Sequence, residues 1–538
     1  MSNQSVSRSP TSESAIVTTT TTTTTTAPPP APPPSFIFRG HDAPVNSLEF
    51  FNSNALLATG DDEGWIYIWD LWKRRQIIKW HAHPSSSVLA LKAVPCSSGQ
   101  HHLDPDDCGS KKSHAKKRTS GTRIDEAGFL LSHGRDHVIH IWDIRTILER
   151  SHGSKDRTGY ASRTENKDDA SLVPEPVPVY SLPVNALNFC AMSVLVVKAQ
   201  LSPPTTSSTT GVNDSKGSLN IDSIAAAYQH LYIAVPSTTD VSKIDVYDLV
   251  KPERTFAAIG RQTSGGTAGS AVSRIGQSAV MALQIFRTQL QPSEQEVAQE
   301  IDDQAELSSR PKQLHILAGY ECGTVTLFRE EEGSVAAPRD SNGKSKRKMD
   351  VVWSIQLHKE PVLSLDISDD LRYGASCGAD NTLVKYTLSN TMPGVPETLQ
   401  VSLKTSGGRG SLRIRSDGKI VVVAGWDGRL RVFAFKSLKP LAVLKYHRED
   451  LKGLALARII QSEPDRKADA PTREINQDSE QGDEHDLNSD KDDESDTDYN
   501  SDEDSDREEL LANQEKWFQR HWIAAAGKEN RISLWDIY

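Results

Sequence analysis

The stretch GHDAPVNSLEFFNSNALLATGDDEGWIYIWD, from Gly40 to Asp70, contains the pattern on which the fold prediction depends. A histidine precedes the first apolar segment, and a Gly-Asp turn separates two later ones. Short segments in which Val, Ile and aromatic residues alternate with polar ones are typical of antiparallel strands. The residues from Ala82 to Asp143 repeat this order, again with a histidine near the start and Trp-Asp at the end.

The unit recurs seven times once the polar inserts are set aside, which is the signature of a repeat architecture. The predicted units cover residues 40–70, 82–143, 182–248, 280–328, 358–387, 410–433 and 447–536. In these features the chain resembles the WD-repeat family, whose repeats of about 40 to 45 residues each form a four-stranded blade. The resemblance implies an all-β, seven-bladed β-propeller with long disordered inserts.

The two ends of the chain predict how the ring closes. The last unit ends at Trp535 and Asp536, where its third strand should finish, and the segment from Phe36 to Phe38 has no other strand to pair with. A blade that lacks its outer strand exposes an unpaired edge. We therefore expect the N-terminal strand to complete the last blade.

Low-complexity sequence occupies much of the remaining length. Residues 1–34 are rich in Thr and Pro and are predicted to be a disordered tail before the propeller at 35–538. Polar inserts lack the apolar residues needed to offset the entropy of ordering. We expect mobile loops at 97–126, 151–175, 203–218, 291–310, 331–349 and 461–516, the last of which is strongly acidic.

Charge and cysteine content exclude several classes of protein. The net charge is −11, and residues 474–509 hold 18 acidic and 2 basic residues. The rest of the chain is close to neutral and lacks the basic stripe of a nucleic-acid-binding protein, so we expect no direct nucleic-acid partner. Five cysteines without zinc-type spacing favour a reduced compartment. We find no secretory signal and no apolar run long enough to span a membrane.

The WD-repeat resemblance also implies a buried hydrogen-bonded network in a blade, made by a loop His, a Ser or Thr, a turn acid and a strand Trp. It maps onto His83, Ser132, Asp136 and Trp142 in the second unit. In the first and fifth units it maps, with Glu and Tyr as departures from the pattern, onto His41, Thr59, Glu63, Trp69, His358, Ser376, Asp380 and Tyr386.

A Ser-His-Asp group has two interpretations, a catalytic triad or a structural staple for the blade. A triad needs an exposed nucleophile and an oxyanion hole, and it has no reason to recur from blade to blade. The chain also lacks phosphate-binding, metalloprotease and dinucleotide motifs. We predict a non-enzymatic protein without a cofactor or metal site.

Two kinds of motif lie in the predicted loops. Lys111 to Arg118 and Lys344 to Lys348 resemble nuclear localisation signals, the alternative being ordinary solvated charge. In the acidic loop, four serines have an acidic residue three positions on, as acidophilic kinases prefer. These possible phosphorylation sites are Ser489, Ser495, Ser501 and Ser505, the alternative being an unmodified solubilising loop.

Three stretches narrow the resemblance: FIFRGHDAPVNSLEFFNSNALLATGDDEGWIYIWDLWKRR, VVVAGWDGRLRVF and WIAAAGKENRISLWDIY. Together they resemble the ASTRA-associated WD-repeat proteins of filamentous fungi. The resemblance implies a nuclear scaffold subunit of the ASTRA complex, acting in chromatin remodelling and in the assembly or stability of phosphatidylinositol-3-kinase-related kinases. The implied partners are kinase co-chaperones, a giant kinase of that class and the RuvB-like ATPases.

Other functions remain open at this stage, because a fold does not determine a function. The alternatives are a substrate receptor of a ubiquitin ligase, a histone-binding propeller and, least favoured, an enzyme. For any partner, the loops just before the inner strands are the predicted contact positions. These residues are Asp42, Ala43, Lys359, Glu360, Arg448 and Glu449.

Overall fold

The computed structural model describes residues 32–95, 128–153, 175–185, 190–198, 224, 228–260, 278–289, 312–331, 347–388, 396–403, 407–460, 510 and 512–537. These residues form seven four-stranded antiparallel sheets. The sheets follow one another around an axis, and the innermost strands of the first and last blades contact each other. The predicted seven-bladed propeller is therefore confirmed.

The strands are numbered β1 to β28 in chain order. Blades 1 and 2 contain β2 (Val45–Phe51), β3 (Leu56–Asp61), β4 (Trp65–Asp70), β5 (Arg75–His81), β6 (Val88–Val94), β7 (Phe129–Gly134), β8 (Val138–Asp143) and β9 (Tyr180–Pro183). Blades 3 and 4 contain β10 (Ser193–Lys198), β11 (Tyr228–Pro236), β12 (Ile244–Asp248), β13 (Glu253–Ile259), β14 (Val280–Gln289), β15 (Lys312–Tyr320), β16 (Thr324–Glu330) and β17 (Met349–Gln356).

Blades 5 and 6 contain β18 (Val362–Ile367), β19 (Tyr373–Gly378), β20 (Thr382–Thr387), β21 (Thr398–Ser402), β22 (Arg409–Ile414), β23 (Ile420–Gly425), β24 (Arg429–Ala434) and β25 (Pro440–Lys445). Blade 7 contains β26 (Leu451–Leu456), β27 (Trp522–Gly527), β28 (Arg531–Asp536) and, as its outer strand, β1 (Phe36–Arg39). Each blade thus contains four strands, whereas each predicted unit included only three strands of its blade.

The hydrophobic core lies between neighbouring blades. Every residue of β3, β7, β23 and β27 is buried, because the second strand of a blade is covered on both faces. One cluster joins Ile66 and Trp80 of blade 1 to Leu91 and Trp142 of blade 2. The inner strand β6 is only partly buried and the outer strand β21 is mostly exposed, so burial is greatest at the second strand of a blade.

The N-terminal strand closes the ring as predicted. β1 pairs antiparallel with β28, with Phe36 opposite Leu534 and Arg39 opposite Arg531. Phe38 is 1% exposed and packs against Trp69 of blade 1, with their ring centroids 5.2 Å apart. β1 is therefore hydrogen-bonded to blade 7 and packs against blade 1, so it joins the last blade to the first.

The inner strands line a central channel and run in the same direction around it. We call the face at which these strands begin the upper face, and the face at which they end the lower face. Strands alternate in direction within a blade, so the loops before inner strands and the turns between second and third strands lie on the upper face. The loops between first and second strands lie on the lower face.

The third predicted unit was wrong about its first strand. The sequence predicts the apolar segment LPVNALNF at 182–189 as the inner strand of blade 3. Instead, Tyr180–Pro183 pairs with β8 as the outer strand of blade 2, and Ser193–Lys198 is the inner strand of blade 3, paired with β11. Both segments are short and rich in apolar residues, a pattern that fits a strand in either place, so periodicity alone cannot choose between them.

Two helical segments occupy parts of predicted loops. Helix α1 (Ile144–Gly153) follows β8, and its residues Ile144, Ile147 and Leu148 are buried in the core of blades 1 and 2 at a helical spacing. Residues 512–518, at the end of the predicted acidic insert, are also helical, and Trp517 is buried against Trp522. Among the described residues, no helix has the length and apolarity to cross a membrane.

Candidate functional site

The second blade contains a complete four-residue network on the upper face. His83 Nδ1 lies 2.9 Å from the Asp136 carboxylate, and His83 Nε2 lies 2.8 Å from Ser132 Oγ. Trp142 Nε1 donates to the same hydroxyl at 2.8 Å. His83 and Ser132 are fully buried. The predicted residues therefore lie together, and they tie the loop, the turn and the third strand of one blade.

The fifth blade repeats this arrangement without the indole. His358 Nδ1 lies 3.1 Å from Asp380, and Nε2 lies 2.8 Å from Ser376 Oγ. Asp380 also accepts the backbone N–H of Lys359, which fixes the loop that follows the histidine. Tyr386 stands where blades 1, 2 and 7 have tryptophan, and its ring is buried against Trp353.

The first blade uses a different acid from the one predicted. His41 Nδ1 contacts Asp61 at 2.8 Å rather than Glu63, while Nε2 lies 2.6 Å from Thr59 and Trp69 donates to that hydroxyl. In blade 2 the corresponding position is Gly134, where an added Cβ would lie 2.2 Å from the His83 ring. A carboxylate at this position of a blade therefore lies next to the histidine ring, as Asp61 lies next to His41 in blade 1.

The seventh blade holds a network that the sequence prediction missed. His447 contacts Glu529 at 3.0 Å and Ser533 at 2.9 Å, and Trp535 Nε1 donates to Ser533 Oγ at 2.9 Å. The hydroxyl comes from the third strand, because Ala525 occupies the position that Ser132 has in blade 2. The signal is the spacing Ser-x-Trp within RISLWD, which places both side chains on one face of a strand.

These networks are built for structure rather than for catalysis. Their hydroxyls are fully buried, so no substrate reaches them, whereas a nucleophile must be exposed beside its base. Burial lowers the pKa of His41 and His447 below the ordinary value, which keeps both rings neutral. Each histidine is then able to donate from one nitrogen and accept at the other.

In blade 2, three possible ligand residues lie close enough together to be considered as a metal site. Possible ligand atoms of His83, Asp136 and His140 all lie within 4.8 Å of one another. Both nitrogens of His83 already contact Asp136 and Ser132, and His140 Nδ1 lies 2.8 Å from Ser181 Oγ. A metal ion would have to break these contacts, so the donor set fits the hydrogen-bonded staple better than a metal.

The upper mouth of the channel opens into a cavity of about 540 Å³. On the side of blades 1, 2 and 7, Asp62 accepts hydrogen bonds from Asn46 and Ser87 and lies 3.5 Å from Lys452. On the opposite side, Met281, Leu363 and Trp426 form an apolar part of the cavity wall. Trp426 is 40% exposed, and exposed tryptophans are frequent anchors of protein interfaces.

The predicted partner contacts lie on this upper face, and most are exposed. The exposed residues are Asp42, Lys359, Glu360, Arg448 and Glu449. Ala43 was wrongly included, because its side chain is 4% exposed and offers no surface to a partner. Asn530 of blade 7 donates to the carbonyl oxygen of Asp42 at 2.7 Å, which holds this loop against the ring.

The lower mouth opens into a larger cavity of about 1050 Å³. The loop Asn52, Ser53 and Asn54 lines it, and all three residues have positive φ angles, a conformation that Asn tolerates better than most residues. The Asn54 carboxamide donates to the carbonyl oxygens of Arg458 (2.8 Å) and Phe518 (3.3 Å). The Asn54 side chain thus connects the segment that precedes the acidic insert to the segment that follows it.

Several predicted features fall outside the described residues. They are the basic run at 111–118 and the possible phosphorylation sites Ser489, Ser495, Ser501 and Ser505. Of the second basic run, residues 347–348 are described. Arg347 pairs with the Glu330 carboxylate and lies 5.0 Å from the Phe256 ring, so this arginine contacts blades 3 and 4.

Comparison with known proteins adds information on the family. The sequence profile of ASTRA-associated protein 1 matches residues 34–524. ASTRA-associated protein 1 of Aspergillus flavus is 30% identical over 516 residues, which cover 94% of this chain and 97% of that protein. The Penicillium rubens protein of the same name is 28% identical over 515 residues, with 94% and 97% covered.

A search of solved structures finds the β-propeller domain of Cps50 (Swd1) from Myceliophteria thermophila. It covers 94% of this chain and 99% of its own, at 11% identity and a TM-score of 0.47. The family assignment rests on the sequence profile, which includes strands of all seven blades. The chain belongs to the ASTRA-associated protein 1 family.

Proposed function

We propose that this protein is a non-catalytic scaffold subunit of the ASTRA assembly. The observation that carries the proposal is the family match over residues 34–524. Relatives that are matched over 97% of their length are named for their association with ASTRA. An interaction that defines a family is expected to use surfaces of the part its members share, which here is the ring.

The form of the ring supports a scaffold. A closed propeller presents two faces and a rim on a rigid core, so several partners are able to bind it at once. The upper face offers Trp426 beside an open cavity, and the lower face offers a second, larger cavity. The Ser-His-acid groups are buried staples, so their chemistry adds no reason to assign an activity.

The assembly claim is tested by purifying the tagged protein from its own cells and identifying the co-purified proteins by mass spectrometry. We expect the kinase co-chaperones, a giant phosphatidylinositol-3-kinase-related kinase and the RuvB-like ATPases. A variant with Trp426→Ala serves as a probe of the upper face, with Leu441→Ala, an exposed residue of an outer strand, as its matched control. Recovery of a cullin adaptor would indicate a ubiquitin-ligase receptor, and recovery of histones alone would indicate a histone-binding propeller.

We also propose that the assembly role concerns chromatin remodelling and the assembly or stability of phosphatidylinositol-3-kinase-related kinases. Support comes from the resemblance to the ASTRA-associated proteins alone. Rapid depletion of the protein should then lower the amount of these kinases while leaving their transcripts unchanged. Constant kinase levels after complete depletion would contradict this role without affecting the assembly claim.

We propose the nucleus as the location of the protein, with the basic run Lys111 to Arg118 as the signal. Arg347, in the second run, is already paired with Glu330, which favours the first run. Replacing the basic residues of Lys111 to Arg118 by Gln should move a fluorescent fusion to the cytoplasm. The same number of replacements on the exposed outer strands is the control.

A further inference from the structure

The lower cavity holds more cations than its carboxylates neutralise. Three carboxylates line it, and each has a cation beside it. The pairs are Glu49 with Lys92 (3.1 Å), Asp369 with Arg458 (3.1 Å) and Asp417 with Arg415 (2.8 Å). Two more cations, Lys198 and Arg413, line the same cavity. No carboxylate of the described residues lies within ion-pair distance of either, so the lower cavity carries surplus positive charge.

Arg413 occupies the narrow part of the channel, where it lines both the upper and the lower cavity. Its Nη1 donates to the carbonyl oxygen of Leu412 at 2.8 Å, which fixes the guanidinium. The nearest buried acid, Asp366, accepts from the Ile414 N–H (2.8 Å) and from Gln284 (3.3 Å). The Arg413 charge favours ionised Asp366 and so opposes the rise in pKa that burial causes, but the two groups lie beyond ion-pair distance. Arg413 therefore keeps N–H groups for a ligand.

Asn52 gives an independent indication that the cavity takes a ligand. The residue is 9% exposed and lines the cavity, and its Nδ2, itself buried, has no acceptor among the described residues. A buried amide N–H without a partner is destabilising, because it has lost its hydrogen bonds to water. An oxygen of a bound ligand would satisfy it. The surplus cations and this donor favour the same kind of ligand, one that presents anionic oxygens.

The walls between these polar groups are apolar. Leu195 and Val196 of blade 3 line the cavity, and Ile460 at its rim is 36% exposed. A phosphodiester backbone is bound by stripes of unpaired cations, whereas two of the four cations that line this cavity are already paired. Apolar walls with a few free cations suit a polypeptide that carries both carboxylates and aliphatic side chains.

We propose that the lower cavity binds an acidic segment of a partner protein, with its carboxylates at Arg413 and Lys198 and one oxygen at Asn52 Nδ2. The aliphatic side chains of the segment pack against Leu195 and Ile460. This binding site rests on the cavity alone, so it stands whether or not the protein belongs to the ASTRA assembly. It also assigns the two faces of the ring to different partners, since the exposed Trp426 lies on the other face.

The test uses the purified full-length protein and a fluorescein-labelled peptide of repeated Glu-Glu-Leu, with binding followed by fluorescence anisotropy. The double variant Arg413→Gln/Lys198→Gln should weaken binding about tenfold, and added salt should weaken wild-type binding further. The matched control is Arg429→Gln/Arg531→Gln, which removes the same charge from exposed positions at the upper-face ends of two third strands. The control should bind as the wild type does.

A second variant keeps the proposal testable if the double variant unfolds. Asn52→Asp retains the size and the positive φ of Asn52 but replaces the donor by a carboxylate, so it should also weaken binding. Circular dichroism and thermal melts establish that each variant is folded. Equal loss of affinity in the upper-face control, or unchanged affinity in folded Asn52→Asp and Lys198→Gln, would overturn the proposal. Tighter binding of duplex DNA than of the peptide, lost in the same variants, would overturn it as well.

Discussion

Substitution of Phe38 by Ala tests whether the N-terminal strand holds the ring closed. The ring of Phe38 is 1% exposed and lies in one apolar cluster with Trp69 of blade 1 and Leu534 of blade 7. Removing a buried phenylalanine leaves a cavity and costs about 3–5 kcal/mol. The backbone pairing of β1 with β28 remains in this variant. The loss of stability therefore measures the packing of Phe38 between blade 7 and blade 1.

For a domain of this size, such a loss lowers the melting temperature by roughly 5–15 °C. The assay is urea unfolding followed by tryptophan fluorescence, with a thermal melt in parallel. Arg39→Ala is the matched control, because Arg39 belongs to the same strand and is exposed; its effect should stay within about 0.5 kcal/mol. A Phe38→Ala protein as stable as the control would refute the closure by β1.

Three further predictions concern single side chains. Ser533→Ala removes the hydroxyl that the blade 7 histidine and tryptophan share, and urea unfolding should show a loss of about 1–3 kcal/mol, whereas no loss would contradict the network. Burial lowers the pKa of His133 to about 3, so below pH 6.5 the unfolded chain takes up a proton that the folded chain does not. Stability should therefore fall by about 2 kcal/mol between pH 6.5 and pH 5, and His133→Gln should remove that part of the slope in denaturant titrations. Asn54→Ala should speed protease cleavage after Arg458 and before Phe518, and unchanged cleavage rates would contradict the anchor.

Much of the fold follows from the sequence because each repeat carries its own pattern. Period-two apolar segments and Gly-Asp turns indicate strands wherever a blade is regular, and the unpaired segment at Phe36 to Phe38 indicates the closure. Blade 3 departs from this rule. There two apolar segments compete for one position, and the choice depends on pairing with β11, a contact between residues distant in the chain.

The networks illustrate a different limit of sequence reasoning. In blades 2 and 5 the residue types and their spacing predict which side chains lie together. In blade 1 the acid moves two positions, from Glu63 to Asp61, and in blade 7 the hydroxyl moves to another strand at Ser533. The geometry that joins these groups is preserved while the sequence positions change, so an alignment by position misses it.

The lower cavity could not be predicted from the sequence for a related reason. Its surplus charge arises because Lys198 of blade 3 and Arg413 of blade 6 meet at one channel mouth. Along the chain these two residues are far apart, and nothing in the sequence around either one indicates that they meet. Only the closed ring brings them together with Asn52, with no carboxylate of the described residues at ion-pair distance from either.

The most direct test of the central claim is the reciprocal purification. A RuvB-like ATPase is tagged in cells that express the wild-type protein or the Phe38→Ala variant, and the recovered subunits are quantified by mass spectrometry. If the closed ring is an ASTRA scaffold, the wild-type protein is recovered with the other subunits, and the variant is recovered in a smaller amount relative to its cellular level. Recovery of the other subunits without the wild-type protein would contradict the account.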